Sequence, residues 1–208
     1  MKILFQGDSI TDADRCRDDF HDMGPGYPSY AARFLKEENP DVDFEFINLG
    51  ISGDQTINLV ERLESDFIAI NPDLVSIHIG VNDTWHHAAD RSWMSDEKFE
   101  ENYRTVLSAI KERTNAKILM IEQYLLPFED KNYFREDLNG KIDVTRKLAR
   151  EFADYYIPLD GLMAMACVGV DPTHWSPDGV HPNANGSEFI GRLYADAVNT
   201  MIKNGVLK

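Results

Sequence analysis

Ser9, Asp178 and His181 are the residues with which this chain could do nucleophilic chemistry. Ser9 stands in Phe5-Gln6-Gly7-Asp8-Ser9-Ile10-Thr11, directly behind a short apolar run that stops at a glycine. Such a run reads as a buried strand ending at Gly7. A residue just past the carboxyl end of that strand lies where open α/β sheets bind ligands. Standing alone, a serine there is an ordinary turn or N-cap residue. A base and an orienting acid elsewhere in the chain would make it a nucleophile. His181, in Asp178-Gly179-Val180-His181-Pro182, could take the serine proton as a neutral imidazole and return it to a leaving alcohol. Asp178, three residues earlier, could hold the other ring nitrogen and steady the imidazolium. Negative charge developing on a carbonyl oxygen needs donors aimed at it. Gly53 could give a backbone N–H where a side chain would block approach. Asn82 could give its side-chain amide and Ser9 its own N–H. Asp83 is expected to brace the Asn82 turn rather than react. Each of these residues also has a plain structural use, so the chemistry depends on their being brought together.

The elements that would do so alternate along the chain. After the first strand comes a charged, glycine- and proline-rich loop, then a helix from Ser29 to about Glu38, ended by Pro40. Asp43–Leu49 reads as a strand, Thr56–Asn71 as a helix and Leu74–Ile79 as a third strand. Asp96–Arg113 reads as a helix with Ser95 as its N-cap. Lys117–Glu122 is a fourth strand, and the pattern from about Phe134 to Tyr155 is helical. Tyr156–Leu159 is a short fifth strand, expected at a sheet edge because it contains proline. A short helical piece at Leu162–Cys167 precedes the last helix, Ala184–Lys203, capped by Asn183. Strands alternating with helices predict an α/β fold: one doubly wound, flavodoxin-like domain over residues 1–208, with a five-stranded parallel sheet covered by helices on both faces. All carboxyl ends then share one edge, where Ser9, Gly53, Asn82, Asp178 and His181 converge.

With the residues in this order the chain resembles the SGNH, or GDSL-like, serine hydrolase superfamily. The resemblance rests on four blocks, Gly7-Asp8-Ser9, Asn48-x-Gly50-x-x-Gly53, Gly80-x-Asn82-Asp83 and Asp178-x-x-His181-Pro182. It implies Ser9 as nucleophile, Asp178 and His181 as the rest of a triad, and Gly53 and Asn82 as oxyanion donors. Ile10 replaces the leucine of the eponymous motif. The stretches Gly7–Thr11, Leu49–Gly53 and Asn82–Trp85 are similar to intracellular carbohydrate acetylesterases of the acetylxylan esterase type. The implied activity is hydrolysis of short-chain, acetyl esters of a carbohydrate through an acyl-enzyme, without a cofactor. The alternatives are a lysophospholipase- or thioesterase-like acylhydrolase and a non-catalytic sugar-binding protein.

Composition narrows the partners. The formal net charge of −15, from 36 acidic and 21 basic residues, repels phosphate backbones and anionic headgroups, so neither nucleic acid nor membrane is expected as a partner. No apolar run approaches the roughly 18 residues of a membrane helix, and the four-residue strand after Met1 is too short for a signal-peptide core. A cytoplasmic protein with Cys16 and Cys167 as reduced thiols is therefore expected. The partner is a small-molecule ester, with an acetylated oligosaccharide as the natural form; a homo-oligomer stays open. Trp85, two residues past Asp83, and Trp175, three before Asp178, are expected to offer sugar-stacking faces, with burial in the core or at a subunit interface as their alternative use. His78, His86, His87 and His174 show no metal-ligand spacing and no metal is expected. His78, on the third strand, reads as a core or crevice histidine.

Overall fold

Alternate residues of the first strand supply two different cores. Ile3 and Phe5 point to one face of the sheet, and Leu4 to the other, as the two-residue period of a strand requires. The computed structural model describes residues 1–208. Its strands are β1 (Lys2–Gly7), β2 (Glu45–Asn48), β3 (Leu74–His78), β4 (Lys117–Ile121) and β5 (Tyr155–Ile157). They are all parallel, in the order β2-β1-β3-β4-β5. This is the doubly wound, flavodoxin-like arrangement expected from the alternation of elements. Both faces of a parallel sheet must be covered. On one side α2 (Tyr27–Glu38) and α8 (Ala184–Lys203) pack over Phe5, Leu119 and Ile121. On the other, α3 (Thr56–Glu61), α5 (Asp96–Arg113) and part of α6 (Arg135–Phe152) cover Leu4, Val75, Ile77 and Ile118.

Several boundaries differ from the sequence reading. A one-turn helix α1 (Ser9–Asp12) follows β1 directly, started by Asp8, whose carboxylate accepts the Ile10 N–H at 3.1 Å. A second short helix, α4 (Val81–Trp85), occupies what reads as loop. The helix expected over Thr56–Asn71 is broken. After α3 the chain widens into a π-helical turn at Glu64–Ile68. At the break Arg62 donates back to Asp54, Gln6 Oε1 and the Leu49 carbonyl, and forward to Asp66. The apolar spacing continues through that turn, so periodicity gives no sign of it. The helix expected to run to Tyr155 ends at Phe152, because Asp154 turns back to accept the Ile118 N–H at 2.9 Å. That places Tyr155 in β5. The strand β5 lies at the sheet edge, but Pro158 is outside it, as the residue preceding α7 (Leu159–Ala166). Asn183 caps α8 as expected, accepting from the N–H groups of Asn185 and Gly186. Cys16 and Cys167 are unpaired, and no helix is long and apolar enough to cross a membrane.

Candidate active site

The carboxyl edge of the sheet gathers residues that lie at opposite ends of the chain. Ser9, at the start of α1, has its Oγ 2.9 Å from His181 Nε2. His181 Nδ1 is 2.8 Å from Asp178 Oδ2. The remaining Asp178 oxygen, Oδ1, accepts the Val180 and His181 N–H groups at 3.0 and 2.8 Å. Ser176 clasps the same turn. Its hydroxyl donates to the His181 carbonyl at 2.7 Å and accepts the Gly179 N–H at 2.9 Å. The three-residue spacing of Asp178 and His181 thus closes a turn in which the carboxylate orients the ring.

The electrostatics follow from these bonds. Burial pushes the Asp178 carboxyl up, but the hydrogen bonds from the His181 ring and the two amides outweigh it and hold the group well below the usual carboxylate range. Its hydrogen bond with Asp178 raises His181 above the ordinary histidine value, against partial desolvation. Asp8 lies beneath, wholly buried, and desolvation pushes it up to about 7. It serves α1 as a cap, and its charge and that of His181 each favour the ionised form of the other.

Gly53 and Asn82 come to the same cavity as Ser9 and His181. Gly53 has φ +90°, a conformation that L side chains rarely adopt, which explains the glycine. Its loop is tied to α1 through Asp12, whose Oδ2 accepts both the N–H and the hydroxyl of Ser52 at 2.8 Å. Asn82 is buried at the start of α4; one of its amide hydrogens goes to the Asp54 carbonyl at 3.1 Å. The other remains for a ligand, since a side-chain amide carries two. Asp83 braces the neighbouring loop, accepting the Thr56 N–H and hydroxyl. Burial raises its carboxyl to about 6.

Trp85 forms a wall of the cavity. Its ring lies 5.7 Å from the His181 ring, centroid to centroid, and edge-on to Phe134 at 5.6 Å. Lys131 covers it, with Nζ 5.5 Å from the ring centroid. Trp175 does not line this cavity, contrary to the sequence expectation. Its indole N–H donates to the Ala166 carbonyl at 3.1 Å and its ring packs on Phe189 and His174. Trp175 is half-buried, and that bond holds its side chain against α7 and the core. His78 is buried between Tyr27 and Tyr124, its ring stacked at 6.3 Å on the latter, and burial lowers it to about 4. Nowhere do three or more histidines, cysteines or carboxylates group in a way that could hold a metal ion.

Sequence reasoning missed Asp12, Lys131 and Tyr30. Asp12 reads as the start of a charged loop, and with Asp14 as a carboxylate pair set aside because it lies beyond the strand end, although it is 1 % exposed. Only its place one turn after Ser9 could have marked it. Tyr30, which also lines the cavity, reads as part of the apolar face of α2.

Residues 5–189 match the family described as GDSL-like lipase/acylhydrolase. The chain belongs to that family. It is therefore a carboxylic ester hydrolase. Its sequence is 29 % identical to an acetylxylan esterase of Geobacillus stearothermophilus, over 93 % of this chain and 91 % of that one. It is 25 % identical to a multidomain esterase of Ruminococcus flavefaciens, over 98 % of this chain but only 29 % of the relative. Among solved structures, a GDSL-like protein of Parabacteroides merdae superposes with a TM-score of 0.87 at 33 % identity, covering 95 % of both chains. An acetyl-xylooligosaccharide esterase of Geobacillus gives 0.86 at 26 % identity, covering 95 % of this chain and 93 % of that one.

Proposed function

We propose that the protein is a carbohydrate acetylesterase working through an acetyl-enzyme on Ser9. The observation that carries this reading is the unbroken chain Ser9 Oγ–His181 Nε2–Asp178 Oδ2, opening on a cavity that Gly53 and Asn82 also line. His181, neutral and with its Nδ1–H on Asp178, takes the Ser9 proton as Oγ attacks the acetyl carbonyl carbon. The tetrahedral oxyanion is met by the N–H groups of Ser9 and Gly53 and by Asn82 Nδ2. The C–O bond to the sugar breaks, the leaving oxygen takes the proton from His181, and an acetyl ester of Ser9 remains. Water, deprotonated by the same ring, then releases acetate and restores Ser9. Trp85 offers a ring face beside His181 for the sugar.

The acetyl specificity draws on the relatives: the acetylxylan esterase and acetyl-xylooligosaccharide esterase of Geobacillus share this fold over nearly the whole chain. Structures of catalytic variants of the former alter a serine, an aspartate and a histidine, the same three residue types. One domain carries the whole reaction, since residues from both ends of the chain meet at one sheet edge. The two unpaired cysteines suit a reducing, cytoplasmic setting.

The test is a panel of 4-nitrophenyl esters and acetylated sugars. Activity falls from acetyl to octanoyl, acetylated xylose is deacetylated, and Ser9→Ala abolishes both. Intact-mass spectrometry after a sulfonyl fluoride shows one adduct, on Ser9. Preference for octanoyl or phospholipid esters would replace the reading with a lysophospholipase- or thioesterase-like one.

A further inference from the structure

The cavity at the triad has a volume of about 750 Å³, far more than an acetyl group needs. Even granting each of its three heavy atoms the roughly 30 Å³ that a water claims in the liquid, an acetyl group takes about 90 Å³. By the same measure a pentose unit of about nine heavy atoms takes about 270 Å³. The cavity therefore has room for the acetyl group and two sugar rings, and the residues described so far line only part of it.

The rest of the lining comes from the α1–α2 loop, α2 and the first turns of α8. Three side chains there have polar groups that make no hydrogen bond within the protein: Asp14, Tyr30 and Ser187. Tyr30 lies at a close approach of α2 and α8. Gly191 leaves room for it: a Cβ at that glycine would fall 2.5 Å from Tyr30 Cβ. One turn earlier on α8, Ser187 is only 3 % exposed and lines the cavity, so what its hydroxyl can reach beyond the protein is the cavity itself. A hydroxyl so placed can donate to or accept from a ligand in the cavity. Asp14 follows Ala13, and both have left-handed backbone, with φ 56° and 43°. That conformation turns the chain back at the cavity rim, and the Asp14 carboxylate enters no ion pair.

We propose that Tyr30, Asp14 and Ser187 form a second saccharide subsite, which takes a neutral sugar ring next to the one carrying the acetyl ester. An aromatic face suits the C–H side of a pyranose, a carboxylate accepts from two neighbouring hydroxyls, and a serine hydroxyl can donate or accept. A negatively charged ligand would meet Asp14 and a chain of net charge −15. The subsite rests on the carbohydrate reading above, and makes the preferred substrate an acetylated oligosaccharide of at least two units.

The experiment compares kcat/KM for acetylated xylobiose with that for acetylated xylose, in the wild type and in Tyr30→Ala, Asp14→Gly and Ser187→Ala. Tyr30→Ala keeps the Cβ that packs on Gly191, and Asp14→Gly keeps the left-handed backbone. The disaccharide-to-monosaccharide ratio cancels any general loss of activity. The wild type should favour the disaccharide by tenfold or more, mainly through KM. That ratio should fall at least fivefold in Tyr30→Ala and in Asp14→Gly, and by a smaller factor in Ser187→Ala. A wild-type ratio near one, or ratios unmoved in all three variants, overturns the subsite and leaves the acetylesterase reading standing. Hydrolysis of 4-nitrophenyl acetate with no turnover of either sugar overturns both.

Discussion

Asp12 Oδ2 accepts two hydrogen bonds from Ser52, one from its N–H and one from its hydroxyl, both at 2.8 Å. The bond joins the helix that starts with Ser9 to the loop that ends in Gly53. The nucleophile and an oxyanion donor are thus referenced to each other rather than each to the distant sheet. Asp12→Ala should free the Gly53 loop and lower kcat by about 10- to 100-fold, a smaller loss than that of an oxyanion donor itself. KM should change little. Steady-state kinetics on 4-nitrophenyl acetate reads both constants, and a change confined to KM would contradict this role.

Loss of the oxyanion amide should cost more. Asn82→Ala is expected to lower kcat by about two to three powers of ten, with a nearly constant KM. The buried side chain also ties α4 to the Asp54 carbonyl, so the thermal midpoint should be recorded beside the kinetics.

The pH profile follows from His181. The base must be neutral, and Asp178 raises its protonation midpoint above the ordinary 6.5. Activity should therefore climb with pH through a midpoint above that value and be lost in acid. Asp178→Asn should lower kcat by about four powers of ten through the wrong tautomer, and shift the remaining acid limb to lower pH. A kcat/KM profile recorded across the neutral range checks both.

Two buried groups bend the stability curve in opposite directions. Asp8 is raised from 3.8 to about 7. Between those values the native state holds the extra proton, so stability falls as pH rises through the window, and the full cost is present above it. His78 is lowered from 6.5 to about 4. There the unfolded state holds the extra proton, and stability falls as pH drops through its window. Asp8→Asn keeps a capping acceptor for Ile10 and should raise stability above neutrality by on the order of a few kcal/mol. His78→Phe should flatten the acid side. Urea unfolding at about pH 5 and pH 8 separates the two.

Lys141 is wholly buried and paired with Asp137, which also accepts the Thr84 hydroxyl at 2.6 Å. Lys141→Met leaves that carboxylate without its cation and should destabilise the fold by about 3–5 kcal/mol. Adding Asp137→Leu should recover much of the loss, measured by denaturant midpoints.

The sequence and the structure agree most closely where a turn must spell out its own geometry. Gly53 with its positive φ, and Asp178 with its three-residue reach to His181, are local patterns, and the strand preceding each block fixes the sheet edge on which it falls. The cavity's far wall was less legible. Tyr30 sits on a helix at core spacing, and only the approach of Gly191, from the other end of the chain, turns it into a lining residue. Trp175 misled for a related reason. Distance along the chain to Asp178 says nothing of direction, which the Ala166 carbonyl decides. The widening after Arg62 escaped because hydrophobic spacing survives an added residue per turn.

Ser9 and His181 stand 172 positions apart. On a ribosome adding roughly 5–20 residues per second, about ten to thirty seconds separate the synthesis of the two. Through that interval the nascent chain holds a serine without a base. Esterase activity then reports the docking of α8 and the turn before it, and in refolding it should return no sooner than the burial of Tyr194 against Phe5.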